Sequence, residues 1–458
     1  MAYPTWQLFP YTADAAVDAI TNGSYWVMDG TRTLTWGVSH GFQGETWADP
    51  TAIAQVAYEV LNTFSQYANI GFRFNGYYAD PSASYYSGSD LNISLSGSSA
   101  IFSDPSGWAI GGFPSTQMEM HTGGAGDVFL NVNSEAVRLP SYAAGSQGWF
   151  LLLHEFGHAL GLKHTHDGGG TGRPTLQYLG IPNWDKDWFS VMSYEDDYQL
   201  NFTEFDPATP MALDVIGLQA LYGINRRTNA GDSTYNLSVD SLYQTIWDAG
   251  GRDTVTAQGS SEGWRIVLPY WQFSNIVTEK FGWALPVADV GTSSPRTMVW
   301  LEGNMEYVRG SNFADEIFGN QLSNTLRGYD GDDYINGGAG NDVLYGGAGM
   351  DLFVFHTKPS KSANRDRISD FNVHDDAIWL DNAMFKKLGS AGDSSDPAQL
   401  KSGHFRLTKA RDSNDYIIYN KKTGVLSYDV DGSGSKAAVE FALVSKNLNL
   451  TYKDLFVV

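Results

Sequence analysis

Hydrophobic and polar residues follow two different periods in the first half of the chain. Residues 51–70 carry apolar side chains at three- and four-residue spacing, which predicts an amphipathic helix. Three shorter segments alternate between apolar and polar residues and are predicted to be strands buried on one face, namely 33–39, 91–97 and 126–132. A further helix is predicted over 209–223, because Thr209 and Pro210 favour a helix start and Gly223 a helix end. This half of the chain therefore indicates an α+β fold.

A nine-residue period replaces the helical pattern later in the chain, between residues 310 and 354. The first position of each repeat is glycine: Gly310, Gly319, Gly328, Gly337 and Gly346. The sixth position is acidic or an amide: Asp315, Asn324, Asp333, Asp342 and Asp351. The eighth position is apolar: Ile317, Leu326, Ile335, Leu344 and Phe353. This is the period of calcium-binding parallel β-helices, in which glycine allows a tight turn, aspartate supplies an oxygen ligand and the apolar residue fills the core. A flexible glycine-rich linker would need neither the period nor the apolar residues.

The composition narrows the partners and the metal chemistry. The chain has 51 acidic and 29 basic residues and a formal net charge of -22, which disfavours nucleic acid and anionic lipid and favours calcium. It has no cysteine, so any metal must be held by histidines and carboxylates. No apolar run approaches the ~18 residues of a membrane span, and the first residues lack the pattern of a secretory signal. We therefore expect neither a membrane anchor nor an N-terminal signal peptide.

The densest cluster of candidate ligands is the sequence HEFGHALGLKH, which begins at His154. On a helix, His154 and His158 project from the same face, so both imidazoles can reach one ion. Gly161 can end that helix, because glycine tolerates the left-handed conformation, and His164 can then fold back as a third ligand. A histidine-containing packing helix is the alternative, but the five fixed residues of the motif rarely coincide by chance. His166 is the nearest rival ligand, although the HExxHxxGxxH spacing favours His164.

Three neutral imidazoles with an open fourth position make a catalytic zinc arrangement. The ion would lower the pKa of its bound water toward ~7, and Glu155, next to the first ligand, is placed to accept the proton. The predicted reaction is hydrolysis of a peptide bond, with one zinc ion and with Glu155 as the general base.

The order of these motifs resembles the serralysins, the secreted metzincin proteases of Gram-negative bacteria. HExxHxxGxxH is followed by SVMSY at residues 190–194, by tandem GGxGxDxUx repeats and by an apolar C-terminal tail. The resemblance implies an α+β metzincin catalytic domain followed by an all-β parallel β-roll or β-sandwich domain. It divides the chain into a zinc metalloprotease domain at 1–228, a calcium-binding RTX roll at 229–385 and a β-rich segment with a secretion signal at 386–458.

The resemblance also assigns roles around the zinc ion, with the ligands implied to be His154, His158 and His164 and the general base Glu155. Tyr194 would ligate zinc at rest and swing away to stabilise the tetrahedral intermediate. Met192 would form a hydrophobic floor under the imidazoles, and Asp167 would be a structural hydrogen bonder. The segment GDVFLN, which begins at Gly126, resembles the edge strand along which extended substrates lie, a mode that reads the substrate backbone more than its side chains.

Several structural calcium ions are implied as well, each between turns two repeats apart and many bound through backbone carbonyls. Within the repeats, the implied ligands are Ser311, Phe313 and Asp315 with Gly328, Asp330 and Asp333; Asn320, Leu322 and Asn324 with Gly337, Ala339 and Asp342; Tyr329, Gly331 and Asp333 with Gly346, Ala348 and Asp351; and Gly338, Gly340 and Asp342 at the next ion. Upstream, the implied ligands are Asn229, Gly231, Ser233, Asp248, Gly250 and Asp253 at one ion, and Gly251, Asn304 and Glu306 with Asp253 at a second.

The tail and the repeats together suggest where the protein acts. The final residues, YKDLFVV, place an acidic residue before four apolar ones and resemble the uncleaved signal of the family's one-step ABC exporter. A last β-strand is the alternative, and the two are compatible. The resemblance thus implies type I export to the extracellular space, with a roll that folds where calcium is abundant. Implied partners are protein and peptide substrates, the exporter and a proteinaceous inhibitor, and a monomer is expected.

The function predicted from the sequence is a secreted zinc endopeptidase that is stabilised by calcium. A calcium-dependent RTX binding or adhesion protein with an inactive metzincin domain is the alternative from a different class, since such repeats are joined to many cargoes. The complete set of ligands, base and tyrosine argues against that alternative. A cytosolic zinc hydrolase is a third possibility, and it leaves the roll unexplained.

Overall fold

The computed structural model describes residues 6–12, 14–104, 106–114, 124–134, 142–168, 171–194, 206–239, 242–269 and 281–458. These residues divide into two compact units. The first takes the described residues of 1–228 and 241–249, and the second takes those of 229–240, 250–274 and 278–458. Within the described residues, no helix is long and apolar enough to cross a membrane.

The α-helices of the described residues all lie in the first part of the chain, and strands occupy both units. The α-helices are α1 (Ala15–Ile20), α2 (Pro50–Tyr67), α3 (Pro81–Tyr86), α4 (Gln147–Ala159) and α5 (Ala212–Tyr222). The strands up to residue 247 are β1 (Trp6–Leu8), β2 (Ser24–Trp26), β3 (Thr33–Ser39), β4 (Gly71–Tyr78), β5 (Leu91–Ser96), β6 (Ala109–Gly111), β7 (Asp127–Asn131), β8 (Thr234–Asn236) and β9 (Tyr243–Trp247). The strands beyond it are β10 (Thr254–Thr256), β11 (Trp264–Val267), β12 (Phe281–Pro286), β13 (Met298–Glu302), β14 (Tyr307–Arg309), β15 (Glu316–Phe318), β16 (Thr325–Asp330), β17 (Tyr334–Asn336), β18 (Val343–Ala348), β19 (Leu352–Phe355), β20 (Asp366–Ile368), β21 (Ala377–Leu380), β22 (Ala398–Gln399), β23 (Phe405–Leu407), β24 (Ile417–Asn420), β25 (Val425–Tyr428), β26 (Val439–Leu443) and β27 (Leu455–Val457).

The helices begin and end where their terminal residues satisfy backbone groups. Asp49 caps α2 by accepting hydrogen bonds from the backbone N–H groups of the first turn, and Pro50 occupies the first helical position. Ser146 caps α4, and Gly161 follows the end of α4 with φ near 101°, as predicted. The helix predicted over 209–223 is confirmed as α5, which begins slightly later than predicted, with Met211 as its cap.

One mixed sheet organises the first unit and packs against α4. Its strand order is β4-β3-β5-β7-β6, and all pairs are parallel except β6 with β7. The predicted strands at 33–39, 91–97 and 126–132 are confirmed as β3, β5 and β7. The expectation that GDVFLN forms the edge strand is wrong, because residues Ala109–Gly111 add β6 outside β7 and take the edge.

The second unit is all-β and is built from two sheets of mostly parallel strands. One sheet has the order β23-β24-β25-β26-β20-β18-β16-β14-β10-β8, and the other includes the order β22-β27-β21-β19-β17-β15-β11-β12-β13. Successive repeats alternate between the sheets, so Ile317 pairs in register with Ile335, and Leu326 with Leu344. The apolar residue of every repeat is fully buried, as predicted. The expected α+β unit followed by an all-β unit of stacked parallel repeats is therefore confirmed as the fold class.

Glycine at the first position of each repeat is required mainly by space. A Cβ atom on Gly337 would lie 2.5 Å from an oxygen of Asp342 in the same repeat, and the other first-position glycines face their own sixth-position side chains in the same way. The positive φ angles fall instead at the second and fourth positions, for example Gly338 and Gly340. The first-position glycine thus makes room for the group that would bind calcium.

The last described strand completes one of the two sheets. β27 (Leu455–Val457) pairs in parallel with β21 and antiparallel with β22. Leu455 and Val457 are buried, whereas Phe456 is only partly covered. The β-strand interpretation of the tail is therefore confirmed.

Candidate metal centre

Three imidazoles converge on one point at the end of α4. The Nε2 atom of His164 lies 3.2 Å from that of His154 and 3.0 Å from that of His158. Three nitrogens bound tetrahedrally to one zinc ion at ~2.1 Å would be about 3.4 Å apart. The spacing therefore fits a zinc ion with little rearrangement.

Each of the three rings is oriented by an oxygen acceptor on its other nitrogen. His154 Nδ1 donates to the carbonyl of Val191 at 2.7 Å, and His158 Nδ1 donates to the carbonyl of Leu162 at 2.9 Å. His164 Nδ1 donates to the carboxylate of Asp167 at 2.6 Å. These bonds place the proton on Nδ1 in all three rings and direct the lone pair of Nε2 toward the shared point. The arrangement is that of metal-binding histidines.

Burial keeps the three imidazoles neutral at physiological pH. Burial, together with the neighbouring histidines, lowers the pKa of His154 and His158 to about 3 and that of His164 to about 4. A neutral imidazole has a lone pair to donate to a metal, whereas a protonated one has none. The donor set thus fits zinc at neutral pH.

The turn that carries Met192 packs under the histidines and is held by a buried carboxylate. Gly157 of α4 leaves space for Met192, whose sulfur would lie 2.8 Å from a Cβ at that position. Asp214 of α5 accepts hydrogen bonds from the Ser190 hydroxyl at 2.6 Å and from the Val191 backbone N–H at 2.8 Å. Since the Val191 carbonyl accepts from His154, Asp214 supports a predicted zinc ligand through one peptide unit.

A second buried carboxylate ties the same turn to the third histidine. Asp185 accepts hydrogen bonds from the hydroxyls of Ser193 and Thr165, which adjoin Tyr194 and His164 in the chain. Asp185 is 6% exposed, so these bonds form away from water. The loop of the third ligand and the turn that carries Met192 therefore share one anchor.

A cleft with a volume of about 400 Å³ opens in front of the imidazoles. Strand β6 lines one side, and Glu155, His158, His164, Asp167 and Tyr194 are among the other lining residues. The Tyr194 hydroxyl lies 3.2 Å from His154 Nε2, close to the predicted metal position. Burial raises the pKa of Glu155 to about 8, and a hydrogen bond from the Gly111 backbone opposes this rise. Among the described residues, this cleft is lined by the predicted base and by every predicted zinc ligand except His154.

The later repeats of the roll contain buried carboxylate oxygens that lack a hydrogen-bond partner. One oxygen each of Asp333, Asp342 and Asp351 is buried without a partner in the described protein. Burial, together with neighbouring aspartates, raises the pKa of these groups to about 8, 9 and 7. Buried anions that repel one another need a cation to offset the cost. Calcium, which prefers oxygen ligands, fits this environment.

In the first two repeats, the sixth-position side chains of Asp315 and Asn324 are hydrogen-bonded to other groups of the protein. Asp315 accepts hydrogen bonds from the Ser311 backbone N–H and hydroxyl and from the Trp264 N–H. Asn324 accepts from the Asn320 N–H and donates to the Met305 carbonyl at 3.1 Å. An ion between these turns would have to replace such bonds. Phe313 and Leu322, predicted to contribute carbonyls, lie on the same turns, and the Phe313 side chain is exposed.

The column of sixth-position carboxylates continues past the last repeat. The backbone N–H of Asn324 donates to Asp342, and that of Asp333 to Asp351. In the same way, the N–H of Asp342 donates to Asp366 at 3.1 Å, and the N–H of Asp351 to Asp376 at 3.2 Å. Asp366 and Asp376 were not predicted from the sequence, because the insertion after β19 breaks the nine-residue period.

The upstream residues implied by the resemblance are only partly brought together. Asp253 accepts from the Ser233 N–H at 2.8 Å, and its own N–H donates to Glu306 at 3.0 Å. Gly251 packs closely on Gly231. Of the remaining residues, Asn229 and Gly250 lie in the second unit, Asn304 is exposed, and Asp248 is assigned to the first unit.

Comparisons with known proteins match both parts of the chain. A family model described as the RTX calcium-binding nonapeptide repeat matches residues 318–353 in four copies. The chain is 34% identical over 276 residues to the metalloprotease AprA of Pseudomonas entomophila (strain L48), which covers 56% of this chain and 54% of that protein. It is 33% identical over 259 residues to the serralysin of Photorhabdus luminescens, which covers 53% of this chain and 50% of that protein. Serralysin C of Dickeya chrysanthemi is 33% identical over 169 residues, or 33% of this chain and 35% of that protein.

These alignments set the extent of the likeness. The chain is serralysin-like, and it spans about half or less of the length of these curated relatives. Among solved structures, the AlgE6R3 subunit of the Azotobacter vinelandii mannuronan C5-epimerase matches at 22% identity, covering 33% of this chain and 76% of that chain. Its TM-score is 0.21, which is too low to indicate a shared overall fold.

Proposed function

We propose that the chain is a zinc-dependent endopeptidase that hydrolyses peptide bonds in proteins. The observation that carries this proposal is the convergence of three imidazoles, with His164 Nε2 within 3.2 Å of the Nε2 atoms of His154 and His158. Each ring is oriented by an oxygen acceptor on its other nitrogen. The relatives that match this chain are named as metalloproteases and serralysins, which supports the same activity.

The proposed roles follow from the positions of the side chains around the cleft. Zinc held by His154, His158 and His164 would polarise the scissile carbonyl and lower the pKa of water. Glu155 takes a proton from the attacking water as the new C–O bond forms, and passes it to the amine nitrogen as the C–N bond breaks. Tyr194, whose hydroxyl is near the same point, stabilises the oxyanion of the intermediate.

The substrate is proposed to lie along β6. This strand lines the cleft and is the edge of its sheet, so its outer backbone groups can pair with an extended peptide. Recognition through the backbone would give broad specificity for unfolded or flexible protein segments.

We further propose that calcium binds the roll at the implied ligand sets and that the protein acts outside the cell. Support comes from the buried carboxylates of Asp333, Asp342 and Asp351, each of which is repelled by neighbouring aspartates unless a cation is present. Extracellular modules bind calcium with dissociation constants of roughly 10⁻⁴–10⁻³ M, a concentration found outside cells and not in the cytosol. Export by an ABC-type transporter and binding of a proteinaceous inhibitor belong to the same proposal.

A substitution of the general base tests the activity directly. We expect Glu155→Gln to lower the rate of casein cleavage by at least ~10²-fold while the protein keeps its zinc. Glu59→Gln is the control, because Glu59 is exposed on α2. Casein cleavage by Glu155→Gln at the rate of the unsubstituted protein would refute the role of Glu155. If the unsubstituted protein holds zinc and cleaves no casein, the binding-protein alternative is favoured.

A further inference from the structure

A fourth histidine stands beside the triad and has no role in the proposed reaction. His166 is exposed, yet its ring is held against two neighbours. It stacks on His164 with ring centroids 5.1 Å apart and planes at 6°, and its centroid lies 5.1 Å from that of Tyr194. Within the described residues, its ring nitrogens make no hydrogen bond. Stacking therefore holds the His166 ring beside the triad, and both of its nitrogens remain available to a ligand.

Asp167 provides a second ligand atom at the same place. One ligand atom from each of His164, His166 and Asp167 lies within 4.8 Å of the others. Two ligands on one zinc ion are at most about 4.3 Å apart, so a small rotation of the exposed imidazole closes the gap. The side chain of Asp167 is 45% exposed, and a carboxylate can bind a metal while it accepts the hydrogen bond from His164.

We propose that His166 and Asp167 form an outer site for a second zinc ion and that this ion inhibits the enzyme. When the triad holds its own ion, His164 uses Nε2 for that ion and Nδ1 for the hydrogen bond to Asp167. The outer ion is therefore bound by His166, Asp167 and solvent. An imidazole and a carboxylate favour zinc over calcium, which prefers oxygen ligands alone. The inhibitory effect rests on the proposed function, whereas the binding does not.

Inhibition follows from the two residues that the outer ion touches. Asp167 accepts the hydrogen bond that orients His164, and a cation on the carboxylate weakens it as an acceptor. Tyr194 packs against His166 and lines the cleft with Asp167, so an ion at the rim restricts the movement of the tyrosine and the entry of substrate. Excess zinc is therefore expected to slow turnover without displacing the zinc held by the triad.

The test compares zinc binding and zinc inhibition in three full-length proteins. These are the unsubstituted chain, His166→Ala, and His374→Ala as a matched control, since His374 is exposed in the second unit. Calcium is kept saturating, so that zinc does not occupy the roll. Equilibrium dialysis without substrate counts bound zinc, and cleavage of a fluorogenic peptide at rising zinc concentration measures inhibition.

We expect the unsubstituted chain and His374→Ala each to bind two zinc ions per chain and to be inhibited by excess zinc. His166→Ala should keep the tighter ion and its basal activity, whereas its affinity for the second ion and its sensitivity to zinc should each fall at least ~10-fold. A second ion bound equally well by His166→Ala, or only one ion bound by the unsubstituted chain, would overturn the proposal. If no protein cleaves peptide, the proposed function fails, and the dialysis still decides whether the outer site exists.

Discussion

Asp214 makes the stability of the metal-supporting turn depend on pH in a direction that the structure specifies. Its carboxyl group is fully buried, and burial raises its pKa from 3.8 to about 7, although three hydrogen-bond donors oppose the rise. In the unfolded chain the pKa returns to ~3.9. The folded state thus binds the proton more tightly, so stability is highest below pH ~4 and is lost as the pH rises toward ~7. Three pKa units correspond to about 4 kcal/mol.

The substitution Asp214→Asn should remove this dependence and keep the geometry. An amide oxygen can accept from the Val191 and Met211 N–H groups, which both donate to the same carboxylate oxygen, and the amide nitrogen can donate to Ser190. Asp214→Ala instead leaves those donors unsatisfied, at about 1–3 kcal/mol each.

Urea denaturation in saturating calcium, repeated between pH 5 and 8, measures both effects. As the pH rises to ~7, the unsubstituted protein should lose about 1.4 kcal/mol of unfolding free energy per pH unit relative to Asp214→Asn. Asp214→Ala should be less stable than both proteins at pH 5. Parallel pH profiles for the unsubstituted protein and Asp214→Asn would contradict the reasoning.

Three further predictions concern the roll and the second anchor. Gly337→Ala places a Cβ against Asp342, so it should lower the free energy of unfolding by about 1–3 kcal/mol and weaken calcium binding. Gly30→Ala is the control and should change neither quantity, because a Cβ at Gly30 meets nothing within 4 Å. Calorimetry with calcium titration measures both effects. Asp185→Ala should lower zinc affinity by ~10–100-fold in a chelator competition, and an unchanged affinity would remove Asp185 from the support of the site. Calcium chelation should unfold the roll, as seen by loss of far-UV β-sheet signal, and full signal in chelator would contradict a structural role for calcium.

Local signals in the sequence were sufficient to predict most elements and the convergence of the three histidines. The HExxH spacing depends only on helix geometry, so the side chains of His154 and His158 could be placed together without a structure. The nine-residue period likewise predicted the buried column that includes Leu326 and Leu344. Both signals are short in sequence, and the contacts they predict repeat at a constant interval.

What the sequence could not show depends on contacts between distant segments. Asp214 and Asp185 are ordinary acidic residues in the sequence, and their importance appears only when α5 and the loop before Met192 fold against the same turn. The edge position of β6 was missed because three residues carry too little pattern to predict a strand. Asp366 falls outside the period and joins the column only through the fold.

The most direct test of the account measures zinc and peptide hydrolysis in the same sample. We predict one tightly bound zinc ion per chain, loss of casein cleavage when a chelator removes it in saturating calcium, and recovery when zinc is restored. His158→Ala should bind zinc weakly and remain inactive, because one of the three converging nitrogens is gone. Undiminished cleavage by protein that contains no transition metal would contradict the central claim.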